Sequence, residues 1–108
     1  MTLTEFNTFC AALPHTHVVR QWGEAYVWKV DTKMFAIAGD GPDGLTVTFK
    51  ATDIGFEVMS DMPGLRPAPY LASRGMKWIQ HYGAPGLDDE SLLEHVKLSY
   101  DLVSRKLT

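Results

Sequence analysis

Apolar residues recur at helical spacing from the start of the chain, with Leu3, Phe6, Phe9, Cys10 and Leu13 on one face. Thr2 and Glu5 stand three apart at its head and Pro14 closes it, so the pattern predicts an amphipathic helix over residues 3–13. The period then shortens. Val18 to Trp22 reads as a strand that Gly23-Glu24 turns into the next, and Tyr26 to Ile37 as a hairpin of aromatic and β-branched residues about an Asp31-Thr32 turn. That turn pairs Val30 with Lys33, Trp28 with Phe35 and Tyr26 with Ile37. One face of the hairpin then carries Tyr26, Trp28, Phe35 and Ile37, and the other Val27, Lys29, Met34 and Ala36.

Gly39-Asp40-Gly41-Pro42-Asp43-Gly44 predicts a loop. Beyond it Leu45, Val47 and Phe49 alternate strictly with Thr46, Thr48 and Lys50, the pattern of a half-buried strand. Thr52 or Asp53 caps a second helix with an uneven stripe of Ile54, Phe56, Val58 and Met59, ending at Met62-Pro63-Gly64. Pro67 and Pro69 hold Leu65–Tyr70 extended. A short turn about Leu71–Arg74 leads to a strand over Met76–His81, and Gly83–Gly86 forms the next loop. Asp88 caps a last helix whose buried stripe is Leu92, Val96, Tyr100, Val103 and Leu107, with Arg105 and Lys106 at its negative end. Strands and helices together in 108 residues imply one mixed α+β domain over 1–108.

Hydrophobic residues at 45% suffice for a core and exceed what disorder allows. Cys10, the lone cysteine, has no partner for an intramolecular bridge, which points to the cytoplasm. No basic-led leader is visible and no apolar run approaches the roughly 18 residues of a membrane span, so neither secretion nor insertion is expected. A net charge of −3 argues against a chain-wide grip on nucleic acid and leaves room only for a local basic patch.

Phosphate-loop, zinc and nucleophile-elbow motifs are absent, and neither catalytic residues nor a cofactor is expected. His15-Thr16-His17 would make half of a metal site, a weak one unless Cys10, His81 or a carboxylate joined it; an exposed loop is the plainer reading, and no metal is expected. Ser99 reads as a small residue that lets the last helix pack closely. The surface says more. Lys29, Lys33, Lys50 and Lys77 fall in or beside strands near Trp28 and Trp78, so the lysines can meet phosphates while a ring stacks on bases. Against this, strand aromatics usually fill cores, and lysines beside them usually cover apolar surface. The same open face could instead anchor a protein partner. Alternatively, Arg66 and Tyr70 could hold a small anion between their segment and the sheet, which requires a concave, partly apolar cavity there.

Taken in order, several features resemble the MmcQ/YjbR family along the whole chain. They are Leu13-Pro14, Trp22, the Trp-Lys-Val-x-x-Lys-Met-Phe-Ala run from Trp28 to Ala36, Lys50, the Pro-rich segment to Tyr70-Leu71, Trp78 and Ser99-Tyr100. Tyr70 stands where many relatives carry histidine. The resemblance implies a compact two-layer domain, an antiparallel sheet covered on one face by helices, similar to frataxin-like and secretion-chaperone-like arrangements. It also implies DNA binding through a "double wing" in which the sheet faces DNA, and it carries over no catalytic residue. The expectation is a non-enzymatic cytoplasmic binding module, with DNA its first candidate partner and a protein or a small anionic ligand the alternatives.

Overall fold

The computed structural model describes residues 1–41, 44–69 and 71–105. Along them run α1 (Leu3–Ala11), β1 (Thr16–Gln21), β2 (Ala25–Val30), β3 (Lys33–Gly41), β4 (Gly44–Lys50), α2 (Asp53–Ser60), β5 (Leu65–Pro67), β6 (Trp78–His81) and α3 (Asp89–Ser104), with a 3-10 turn at Ala72–Arg74. The strands form one sheet in the order β1-β2-β3-β4-β6-β5. Every neighbouring pair is antiparallel, so the α+β architecture with an antiparallel sheet is as expected.

Local chemistry sets the helix starts. Thr2 Oγ1 accepts from the Glu5 N–H at 3.1 Å while Glu5 Oε1 accepts from the Thr2 N–H at 2.8 Å, closing the capping box that the spacing predicts. Thr52 caps α2 by accepting from the Gly55 N–H, and Asp88 caps α3 by accepting from the Ser91 N–H. The first helix stops at Ala11, and the chain beyond it is fastened to α3 by the Tyr100 hydroxyl, which donates to the Pro14 carbonyl at 2.7 Å.

The core lies between the helices and one face of the sheet. Phe6 and Cys10 from α1 and Leu92, Val96 and Val103 from α3 meet Trp28, Val30, Phe35, Ala36, Val47, Phe49 and Ile79 from the strands. Burial pushes the Cys10 thiol up to about 12, so it serves here as a small hydrophobe. Of the α2 stripe only Met59 is buried, and Ile54 and Val58 face solvent.

The hairpin departs from its predicted register. Its Asp31-Thr32 turn and Val30–Lys33 pair hold, but Lys29 pairs with Met34 and Trp28 with Ala36, followed by Val27 with Ile37 and Tyr26 with Ala38. Phe35 is the extra residue of a β-bulge. It brings Ala36 to the helix side with Trp28 and sends Ile37 to the opposite face.

A serine from α3 holds the bulge. On the other side of β3 the register runs Ala36 to Phe49, so the next rung would join Phe35 and Lys50. In place of a direct bond, the fully buried Ser99 hydroxyl accepts from the Lys50 N–H at 2.9 Å and donates to the Phe35 carbonyl at 2.7 Å. Ser99 thus satisfies two backbone groups that the irregular ladder would strand.

Two other segments are more regular than expected. Glycines 39 and 41 belong to β3 and Gly44 opens β4, with Gly39 opposite Thr46 and Gly41 opposite Gly44; Pro42 and Asp43 lie outside the described residues. Thr16 and His17 lie in β1 rather than in a loop, because they pair with Val30 and Lys29. Among the described residues no three His, Cys, Asp or Glu side chains gather to hold a metal ion, and no helix is long and apolar enough to cross a membrane.

Candidate functional site

The sheet face turned away from the helices is not bare. Val27, Ala68 and Trp78 are buried, yet they stand outside the helix-side core. Antiparallel register places Val27, Ile37, Thr48, Gln80 and Arg66 in one row across this face. Ala25, Gly39 and Thr46 form the next row toward the β1–β2 turn. The chain leaving β5 stays against the sheet, with the Ala68 N–H donating to the Trp78 carbonyl at 2.9 Å and the Ala72 N–H to the Ala68 carbonyl at 2.9 Å.

Between that segment and the β1–β2 turn lies a cavity of about 530 Å3. Ala25, Ile37 and Gly39 floor it, Ala68, Pro69 and Leu71 wall one side, and Trp22 stands at the other. Among the described residues its polar side chains are the hydroxyls of Thr46 and Thr48 and the amide of Gln80. Arg66 Nε donates to Gln80 Oε1 at 2.8 Å while its guanidinium lies 4.8 Å from the centre of the Tyr82 ring. This commits the Gln80 carbonyl and leaves its NH2 as the donor end. The floor is kept low by necessity: a Cβ at Gly39 would come within 2.9 Å of Thr46 Oγ1. An apolar hollow of this size with a few converging polar groups is the usual form of a small-molecule site.

Trp22 is held in an unusual way. It, Gly23 and Glu24 all have positive φ, at 51°, 70° and 86°. A bulky residue there is an outlier that costs on the order of 1–3 kcal/mol, and such strain gathers at functional sites. Arg20 braces the turn: its Nε donates to the Glu24 carbonyl at 3.2 Å, and its guanidinium sits 3.8 Å from the Glu24 carboxylate and 4.0 Å above the Tyr26 ring. The indole is 65% exposed. A more polar hollow bearing Arg20, Glu24 and Asp40 adjoins the cavity and shares Trp22, Ala25, Gly39 and Thr46 with it. From the sequence Trp22 is one of several aromatics near the lysines, with Trp28 and Trp78 preferred as the stacking rings. The signal for Trp22 was its place immediately before a glycine between two strands, where a large ring has no core to fill.

The residues singled out from the sequence separate into groups. Trp28 is 5% exposed on the helix side and its Nε1–H donates to Asn7 Oδ1 at 2.9 Å. Trp78 is 3% exposed on the open face. Neither ring is presented for stacking, because both faces of this sheet are covered where the tryptophans sit. Lys29 and Lys50 do belong to the open face, one row beyond Val27 and Thr48 and so about 7 Å along the strands from the cavity floor. Lys33 and Lys77 do not join them. Lys33 lies opposite the core residue Val30, and the Lys77 ammonium sits 5.1 Å from the centre of the Phe56 ring on α2. Arg66 is exposed and acts on the cavity through Gln80; Tyr70 lies outside the described residues.

Comparisons with known proteins agree with this architecture. The crystal structure of Deinococcus radiodurans protein DR2400, assigned to the domain family DUF419, is similar at a TM-score of 0.85 and 23% identity, covering 99% of this chain and 81% of that one. At that identity the likeness shows the fold alone. No curated protein matches the chain significantly. A family model described as YjbR matches residues 11–102, from the end of α1 into the last turns of α3. That span takes in the hairpin, the strained Trp22 turn and the Ser99 wedge, and the chain therefore belongs to the YjbR family.

Proposed function

We propose that this protein is a non-catalytic binding module that seats a small organic ligand on the open face of its sheet. The observation that carries this reading is the cavity itself, concave, largely apolar, and supplied with hydroxyl and amide groups from Thr46, Thr48 and Gln80. Its described lining residues are suited to holding a ligand, and none carries a side chain that exchanges protons near neutral pH. A cytoplasmic setting suits the lone, buried thiol of Cys10.

A mixed-charge fragment library screened against 15N-labelled protein tests the reading. Binders should shift the amides of Gly39, Thr46 and Thr48, and Ala25→Ile, which puts a β-branched side chain into the floor, should abolish the shifts while preserving the fold. Shifts scattered over other surfaces, or unaltered in Ala25→Ile, would refute it.

The shared row of Lys29 and Lys50 favours a second reading, in which a nucleic-acid strand crosses the open face. There the lysines neutralise phosphates with little sequence preference, and Trp22 takes the stacking role from the buried rings. Fluorescence anisotropy with labelled single- and double-stranded DNA should then show binding that weakens steeply with salt and disappears in Lys29→Glu/Lys50→Glu. Binding unchanged in that double variant removes the reading.

A further inference from the structure

The cavity's lining narrows what it can accept. We infer that it selects a neutral, planar ligand whose ring is recognised by the indole of Trp22. This rests on the small-ligand reading above and goes on to assign the ligand's chemical class.

Charge is the first discriminator. No described residue lining the cavity is ionised, so a charged ligand finds no counter-charge in that lining. Nearby charges stand outside it. Arg66 is directed to Gln80 and Tyr82, Glu24 is set against Arg20, Asp40 belongs with them to the adjoining hollow, and Lys29 and Lys50 belong to the following row. The hydroxyls of Thr46 and Thr48 can donate and accept while the Gln80 NH2 donates, which matches a neutral alcohol, amide or ring nitrogen.

Shape is the second discriminator. Ala25 and Gly39 put little side-chain bulk beside Ile37 on the floor, and a Cβ at Gly39 would crowd Thr46 Oγ1, so the room above Gly39 is built into the strand pairing. Trp22 is largely exposed at the margin, in a turn whose backbone pays strain to hold it there. A side chain with no core to fill, fixed beside an apolar hollow, is placed to stack on a ring.

Four matched compounds separate these terms: 2-naphthol (neutral, planar), 2-naphthoate (anionic), 2-naphthylmethylammonium (cationic) and decahydro-2-naphthol (neutral, puckered). Each is titrated into the 15N-labelled full chain, following the amides of Gly39, Thr46 and Thr48. Naphthol should bind at least about tenfold tighter than either ion, since the lining offers neither ion a counter-charge for the water it gives up. It should exceed the puckered alcohol by about three- to tenfold, the worth of an aromatic pair beyond its area. Trp22→Ala should erase the second margin and keep the first, and Trp22→Phe, which retains a ring, should restore most of it.

Equal or tighter binding of an ion overturns the neutral preference. A margin over the puckered alcohol that survives Trp22→Ala overturns the role of Trp22. If none of the compounds moves these amides, the inference fails. In that event the small-ligand reading is decided separately by the mixed-charge screen, where cavity shifts from other compounds would sustain it.

Discussion

Replacing Ser99 with alanine removes one oxygen and should cost far more than an oxygen's worth of packing. The hydroxyl is the hydrogen-bond partner of the Lys50 N–H and of the Phe35 carbonyl at a site sealed from water. A buried polar group left without a partner costs about 1–3 kcal/mol, and the carbonyl, with a second lone pair, sits at the low end. The sum is about 2–4 kcal/mol, a large share of the roughly 5–15 kcal/mol that stabilises a domain. At about 4–8 °C per kcal/mol for domains near this size, the melting temperature should fall by on the order of 10–30 °C. Urea denaturation gives the free energy, and hydrogen exchange at the Lys50 amide reports the site directly: protected in the parent, it should exchange faster in the variant by more than global destabilisation explains. A loss below about 0.5 kcal/mol with the Lys50 amide still protected would show that β3 and β4 close the gap themselves, and the wedge account would be wrong.

Other expectations follow from the same physics. Gly64→Ala should destabilise by at least about 2–3 kcal/mol in urea, since its φ of +88° disfavours a side chain and the added Cβ would collide with the Gly83 carbonyl and the Gly86 backbone. Burial holds the His95 imidazole below its ordinary value of 6.5, against an opposing pull from Glu94. The folded state therefore favours the neutral ring, which stacks on Phe49. That contribution is complete above the unfolded value and is lost as pH falls through 6.5 toward the depressed folded one. Comparing urea midpoints at about pH 7.5 and about pH 5.5, His95→Gln should lose less stability on acidification than the parent. Cys10, with its thiol pushed up to about 12, should resist a disulfide reagent at pH 8, where roughly one molecule in ten thousand is thiolate, and should react only as fast as the protein opens. Rapid stoichiometric labelling of the folded chain would contradict its burial.

How much of this was legible depended on the range of the interactions involved. The Thr2–Glu5 box, the Thr52 and Asp88 caps and the Asp31-Thr32 turn are decided within a few residues, and each stands where the sequence places it. The register beyond that turn is not local. Phe35 bulges where a serine from α3 enters the ladder, and no pattern within the hairpin announces a partner 64 positions away. Glycines 39, 41 and 44 carry the composition of a loop, yet backbone pairing needs no side chains, so β3 and β4 run through them. Trp28 and Trp78 read as stacking rings from the sequence because alternation separates two faces without saying what covers each. A short Pro-rich segment lies along the second face, and among the described residues that leaves Trp22, in a turn, as the ring beside the cavity.

Ser99 also sets an order of events during synthesis. Phe35 and Lys50 leave the ribosome well before the serine that completes their pairing, and at about 5–20 residues per second the interval is several seconds. Throughout it the central hairpin has correct sequence neighbours and an unfinished ladder. Its apolar helix-side face waits as well, since Leu92, Val96 and Val103 arrive with the same helix. Until α3 is made, the sheet's helix-side face lacks the residues that complete its core, and α3 is the latch that closes it.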